Sequence, residues 1–407
     1  MAQTLKFGNG VWANKEGLTL AYNDENGNYK PLPFNFTRST SATRVNKQGL
    51  IEVVRNNKPR IDYKDSAKGA LILEPSRSNL FLYSESLETG WTGAGTNPPV
   101  LTASQFISPD GSQNASRLQI PSTGTTSIFY QLFSHTIGTQ YTISGYVKSN
   151  TSTNQEFKLY GDFGAPSGIS GVLTATSEWQ RFSFTYTATA TGSRSGGFYY
   201  VPNIAADLQV YGIQVEVGSY STSFIPTQGS TVTRVAETAN GAGNSEVFND
   251  SEGVLFADVS ALADDQTLRM LSVSDGTNNN RIRINYTTTS NQLQARIVDG
   301  GSTVVDFIEN LNDITIPVKL AIKYKINDCA LWVNGFKVAT DTSATMPSGL
   351  KTLNFDGGDG GFDFYSSTKE LGYYDAALTD TELEYLTSYR SWESIVNELN
   401  LNIIYNG

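Results

Sequence analysis

Gln140-Tyr-Thr-Ile-Ser-Gly-Tyr-Val-Lys148 sets Tyr141, Ile143 and Val147 at even spacing, with Thr142, Ser144 and Lys148 on the alternate parity. Successive side chains of an extended chain point to opposite faces, so this run reads as a strand with one apolar face. Working outward, Ser127-Ile-Phe-Tyr-Gln-Leu-Phe133, Trp179-Gln-Arg-Phe-Ser-Phe-Thr-Tyr186 and Leu208-Gln-Val-Tyr-Gly-Ile-Gln-Val-Glu216 repeat the alternation. No helical period of useful length interrupts them between Trp91 and Gln228. The pattern predicts a mainly β protein, with an antiparallel sandwich over this span.

Composition agrees with that reading. The chain has 407 residues, room for two or three domains, and only 17% of them are charged. Its 37 Gly, 21 Tyr and 20 Phe suit many short strands and tight turns. A formal net charge of -10 provides no basic field for phosphates, which argues against nucleic-acid binding. One histidine, His135, and one cysteine, Cys329, exclude disulfides, Cys-rich zinc sites, HExxH centres and CxxC redox motifs. The first residues lack a basic stretch followed by an apolar core, and no apolar run is long enough to span a bilayer. Synthesis in a cytoplasm, with no membrane insertion, is the expectation.

Residues 34–85 read as short extended stretches broken by Asn, Gly and Pro. Arg38, Arg44, Lys47, Arg55, Lys58 and Arg60 make this the locally positive region of an acidic chain. Two readings fit: a docking segment for an acidic partner, or a solvated strand edge blunted by charge. Thr238-Ala-Asn-Gly-Ala-Gly-Asn-Ser245 has little apolar content and reads as a linker or exposed turn. Beyond it strands resume, and Asn334-Gly335 is a strong signal for a type I′ hairpin after Cys329-Ala-Leu-Trp-Val333. Thr379-Asp-Thr-Glu382 is a capping box that opens a helix. Trp392, Ile395, Val396 and Leu399 then recur at helical spacing, as core packing or as a contact for another subunit. Ser41-Ala-Thr-Arg-Val45 is echoed by Thr231-Val-Thr-Arg-Val235, which suggests paired strands at the base of an inserted module.

The run Phe36-Thr-Arg-Ser-Thr-Ser-Ala-Thr-Arg-Val-Asn-Lys-Gln-Gly-Leu-Ile-Glu52, followed by Pro59-Arg-Ile-Asp-Tyr63, Leu73-Glu-Pro-Ser-Arg-Ser-Asn-Leu80 and Tyr83-Ser-Glu85, resembles the N-terminal module of virion fibre and tail proteins from phages of Bacteroidetes, crAss-like phages included. The middle span, ending in Val210-Tyr-Gly-Ile-Gln-Val-Glu-Val-Gly218 and Tyr220-Ser-Thr-Ser-Phe-Ile-Pro-Thr227, is similar to jelly-roll carbohydrate-binding modules. Residues 319–338 and 370–386 are similar to LamG, or concanavalin-A-like, sandwiches. The resemblance implies an extended N-terminal virion-docking segment at 1–85, a carbohydrate-binding jelly roll at 86–237, a LamG-like sandwich at 246–390 and a short C-terminal helical tail at 391–407. It further implies a homotrimer on the virion surface, contacting other capsid or tail proteins and surface glycans. The lack of a long shaft favours a head fibre over a tail fibre.

Sugar binding needs aromatic faces ringed by polar side chains. Candidates are Trp91, Tyr160, Phe198, Tyr199 and Tyr200 in the middle span, and Trp332, Phe362, Phe364 and Tyr365 near the C-terminus. Trp179, Phe182 and Phe184 are expected to include core members. Arg38, Arg44, Arg55 and Arg60 are the candidate virion-docking residues. Asp356, Asp359 and Asp363 on a Gly-rich loop are candidate ligands for Ca²⁺, the one cofactor the resemblance suggests, with Asp207 a further candidate in the middle span. The E-x-D-x-x-E strand of concanavalin-like glucanases is absent, as is any Gly-Lys dipeptide for a P-loop. His135, in Phe133-Ser-His-Thr, reads as a turn histidine, so a non-enzymatic protein is expected, with a polysaccharide depolymerase as the alternative.

Overall fold

Glu252–Ala261 is apolar on both parities, so both of its faces need cover. In the computed structural model, which describes residues 2–388 except Glu16 and Gly164, this strand lies between Ser366–Tyr374 and Val318–Lys325 in a twelve-stranded sheet. On one face Leu255, Ala257 and Val259 join a core with Leu271, Val273, Ile282 and Ile284 of a five-stranded sheet. On the other, Val254 and Phe256 meet Trp332 and Leu383, the latter on the helix Asp380–Thr387. That helix begins as the sequence predicts, with Thr379 accepting from the Glu382 amide and Glu382 accepting from the Thr379 amide. The hairpin also forms where expected: Asn334 and Gly335 take φ values of 50° and 88° between Cys329–Val333 and Phe336–Asp341.

The chain divides into two units, each with its own core, and residues 1–85 are shared out between them. Residues 1–39, 56–74 and 237–407 form the first unit; residues 40–55 and 75–236 form the second. An N-terminal segment standing apart is therefore not observed. Leu5–Gly8, Leu18–Asn23, Asn28–Thr37, Arg60–Asp62 and Ala70–Leu73 are strands of the large sheet, and Leu5, Phe7, Phe34, Phe36, Leu71 and Leu73 are buried in its core. These apolar side chains have no stable place outside a core.

Two arginines expected to dock a partner are enclosed in this unit instead. Arg38 donates to Glu237 Oε1 at 2.5 Å. Arg60 donates through Nε to Glu237 Oε1 and through Nη2 to Glu74 Oε2, each at 2.8 Å, and also to Glu237 Oε2. Burial alone would lower the Arg60 pKa, but the two carboxylates outweigh it and raise the value further. Two guanidiniums and two carboxylates cancel in charge, which is what makes the burial tolerable. Arg44 pairs with Glu52, and Arg55 is exposed.

The stretch 238–245 is not a linker. Thr238–Asn240 pairs with Asn28–Thr37, and Ala239 and Ala242 are fully buried. Its small residues serve close packing: a Cβ on Gly243 would lie 2.4 Å from the Phe248 ring, and its φ of 80° disfavours other residues as well. Residues 75–236 are inserted in the first unit, but the echoed segments do not pair with each other. Val232–Arg234 pairs with Arg77–Asn79, and Ala42–Val45 pairs with Ile51–Val54.

The second unit is a sandwich of two five-stranded antiparallel sheets. Thr92–Gly95, Ser127–His135, Gly192–Tyr199, Gln155–Tyr160 and Leu173–Ala175 make one; Val100–Phe106, Ala115–Ile120, Ala206–Val217, Gln140–Ser149 and Gln180–Thr187 make the other. Tyr141, Ile143 and Val147 all point into the shared core. Beside it, the Tyr211 hydroxyl lies 2.9 Å from both Glu85 Oε1 and Asp110 Oδ2. One phenolic proton serves only one of them. Burial raises the pKa of Asp110, but bonds from Asn114, Ser112 and Ser108 reverse that and hold it below the usual range. Burial, with Asp110 nearby, leaves Glu85 above its usual value despite the Tyr211 bond. A carboxyl whose folded pKa is raised costs stability once pH passes upward through that value, and costs nothing below its unfolded pKa. Glu85→Gln is thus expected to raise the melting temperature by about 2–4 °C at pH 7 and by nothing near pH 4. Scanning calorimetry at the two pH values decides it; a lower melting point at pH 7 would show that the ionised carboxylate stabilises the fold.

Among the described residues no helix is long and apolar enough to cross a membrane. The predicted stripe of Trp392, Ile395, Val396 and Leu399, with the tail 391–407, lies outside the described residues.

Candidate functional site

The middle-span aromatics sort by strand parity. In Ser127–His135, Phe129 and Phe133 face the core, which leaves Tyr130 and Leu132 on the opposite face. Register carries this across the sheet: Phe129, Phe198 and Leu159 are cross-strand neighbours within the core, while Tyr130, Gly197 and Tyr160 form the next file outside it. The neighbouring outer file is Ile128, Tyr199 and Lys158. Gly197 permits close packing: a Cβ there would lie 2.3 Å from the Phe129 carbonyl oxygen and 2.9 Å from the Trp91 ring.

Rings gather around Tyr160. Tyr199 lies 5.7 Å from Tyr160 and 4.9 Å from Tyr200, and Phe163 lies 6.2 Å from Tyr160 and 6.3 Å from Tyr199. Phe163 is 45% exposed, whereas Tyr160 is covered completely. Burial raises the pKa of both Tyr160 and Tyr199, so their hydroxyls stay neutral and can donate as well as accept. Apolar faces edged by neutral hydroxyls are the chemistry that a sugar ring needs. Tyr160, Tyr199 and Tyr200 were legible as candidates; Tyr130 and Phe163 were not. The signal for Tyr130 is present in its strand, as an aromatic on the parity opposite to Phe129 and Phe133.

Other sequence candidates are placed elsewhere. Trp91 is 7% exposed, packs against Phe81 and Phe129, and donates its indole N–H to the Tyr83 carbonyl at 2.7 Å. Phe198 is fully buried. Trp332 is 5% exposed, enclosed by Val254, Phe256 and Leu383, with Lys337 Nζ 5.7 Å from the ring centroid. These three support the core and are not ligand platforms. Phe364 is buried and stacked on Tyr286, so of the C-terminal candidates only Phe362 is well exposed, and Tyr365 is half-buried with its hydroxyl bonded to Asp363.

The proposed calcium ligands do not assemble. Asp356 accepts from the Gly358 amide, Asp359 accepts from Asn278 and Asp363 accepts from Tyr365. Each acid is taken up by a hydrogen-bond donor, and among the described residues no three acidic, His or Cys side chains come together as a metal site. Asp207 pairs with Arg117 at 2.6 Å. His135 is buried beside Phe133 and Tyr141, with Nε2 2.6 Å from the Tyr186 hydroxyl, and burial lowers its pKa.

No family model matches the chain, and no curated protein matches it. Several solved structures are similar to part of it. The sialidase CBM40 module of Ruminococcus gnavus, bound to α2,3-sialyllactose, is 18% identical over 36% of this chain and 86% of its own, with a TM-score of 0.31. The CBM22-1 xylan-binding domain of Paenibacillus barcinonensis Xyn10C is 17% identical over 35% of this chain and 97% of its own, with a TM-score of 0.26. The enzymatically active domain of tailspike protein 4 from bacteriophage CBA120 is 14% identical over 33% of this chain and 20% of its own, with a TM-score of 0.24.

Proposed function

We propose that this chain is a phage virion surface protein, a head fibre, whose second unit holds glycans on the tyrosine-lined face. The glycan reading is carried by Tyr130, Tyr199 and the exposed Phe163, whose rings gather around the buried Tyr160 on the strand parity opposite to Phe129 and Phe198. The virion reading is supported by the resemblance of residues 36–85 to fibre and tail proteins of Bacteroidetes phages. A homotrimer would multiply weak single-site contacts into useful avidity.

Affinity electrophoresis of the purified protein through gels containing host surface polysaccharide tests the first part. Retardation is expected, and Tyr199→Ala is expected to weaken it about tenfold, or about 1.4 kcal/mol, without lowering the melting temperature by more than a few degrees. Unchanged retardation in the variant would remove the face from the binding site, and release of oligosaccharide would make the protein a depolymerase. Gold labelling of intact particles tests the second part. Label over the capsid is expected; label at the distal tail would make this a tail fibre, and no label would end the virion reading.

A further inference from the structure

The five-stranded sheet of the first unit turns a cationic face away from its core. Leu271, Ile284, Ala295 and Phe307 are cross-strand neighbours inside, and the next file is Ser272, Arg283, Arg296 and Asp306. Arg281 lies two residues along from Arg283 on the same face. Arg296 is held by Asp306 at 2.6 Å, and Arg281 by the Asn278 side chain and the Gly357 carbonyl. Arg283 has neither kind of support. It is 5% exposed, and among the described residues its one hydrogen bond runs from Nη1 to the thioether sulfur of Met270 at 2.9 Å and its Nε has no partner. Burial and the charges of Arg281 and Arg296 lower its pKa to about 10, and Asp306 offsets this only in part.

A desolvated guanidinium without a carboxylate at hydrogen-bond distance is costly, and here two like charges stand beside it, with Asp306 paired to Arg296 and Asp359 acting on Arg281. The first unit solves the same problem elsewhere with matched charges, since Arg38 and Arg60 are answered by Glu74 and Glu237. The missing negative charge on this face is most economically supplied by a ligand. Guanidinium forks bind planar or tetrahedral oxyanions through paired N–H bonds, in a geometry that ammonium groups do not match. We infer that the Arg281–Arg283–Arg296 face is a second binding site, specific for a sugar-borne oxyanion: the carboxylate of a uronic acid or a sugar sulfate. Only the choice of a saccharide as carrier rests on the glycan reading above; the need for an anion rests on these arginines.

The test is isothermal titration of the full chain with sodium glucuronate, glucose 6-sulfate, glucose and inorganic sulfate. Either acidic sugar is expected to bind at least tenfold more tightly than glucose and inorganic sulfate, and Arg283→Met is expected to abolish the difference while leaving the melting temperature equal or higher. Arg296→Gln, at a more exposed position, should lower acidic-sugar affinity as well and serves if the first variant does not fold. Equal affinity for glucose and the acidic sugars would overturn the site, as would unchanged affinity in both variants. Binding of inorganic sulfate as tight as that of either acidic sugar would overturn the saccharide assignment. Dissociation of an oligomer by Arg283→Met in sedimentation would show the face to be an interface between copies. Loss of neutral-glycan retardation with acidic-sugar binding intact would strike the tyrosine face alone.

Discussion

Replacing Arg60 with methionine is expected to destabilise the first unit by about 3–5 kcal/mol, the usual cost of leaving a buried charge without its partner. Glu74 and Glu237, almost wholly removed from solvent, would both lose the Arg60 guanidinium, while Glu237 keeps Arg38 and the Glu74 amide. Urea denaturation followed by fluorescence measures the loss as a fall in midpoint at constant slope. Adding Glu237→Gln to the variant should recover part of it, because the double change removes the stranded carboxylate; a cycle with no recovery would show that packing of the arginine stem, rather than charge, is what Arg60 contributes. The position of the cluster makes the expected effect large. Arg38 stands just before residue 40, where the chain enters the second unit; Glu74 is the last residue before the long insertion and Glu237 the first after it. The Glu237 amide donates to the Glu74 carbonyl at 3.1 Å, so backbone and side chains together close the ends of a 162-residue insertion (75–236). Closing so long a loop costs entropy that strong local bonds must offset.

These residues also show which parts of the architecture were legible in the sequence. Alternation in Gln140–Ser149, the Asn334-Gly335 turn and the Thr379 capping box are each set by neighbours within a few positions, and each forms as read. Arg38 and Arg60 were misplaced because charge in a short window reads as surface, while the acid that buries Arg60 lies 177 residues away. The stretch 238–245 was misread for a related reason. Small residues look too poor in apolar area to pack, yet beside Phe36 and Phe248 it is their small size that lets the backbone approach. Trp332 follows the same logic, since its cover comes from Leu383 on a helix 51 positions later. The tyrosine face was half legible. Composition drew attention to Tyr160, Tyr199 and Tyr200, but only cross-strand register joins them to Tyr130 across Gly197.

Trp91→Ala is the sharpest contrast to a change on that face. The indole stacks on Phe129 at 5.5 Å, meets Phe81 at 4.9 Å and donates to the Tyr83 carbonyl, all inside the core of the second unit. Truncation removes those contacts, leaves a cavity and strands the carbonyl, at a cost of about 3–5 kcal/mol. The expected result is a melting transition lowered by ten degrees or more, with polysaccharide retardation intact wherever the protein is still folded. Tyr199→Ala should do the reverse, because this half-buried ring packs only against the margin of the core and offers its remaining surface to a ligand laid across it. If instead Trp91→Ala abolished retardation at unchanged melting temperature, the indole would have to be reachable by sugar, and the division of the sheet into a core file and a binding file would be wrong. The two variants therefore test the strand parity itself: Phe129 and Tyr130 are adjacent in sequence, and the proposed function depends on their lying on opposite faces of one strand.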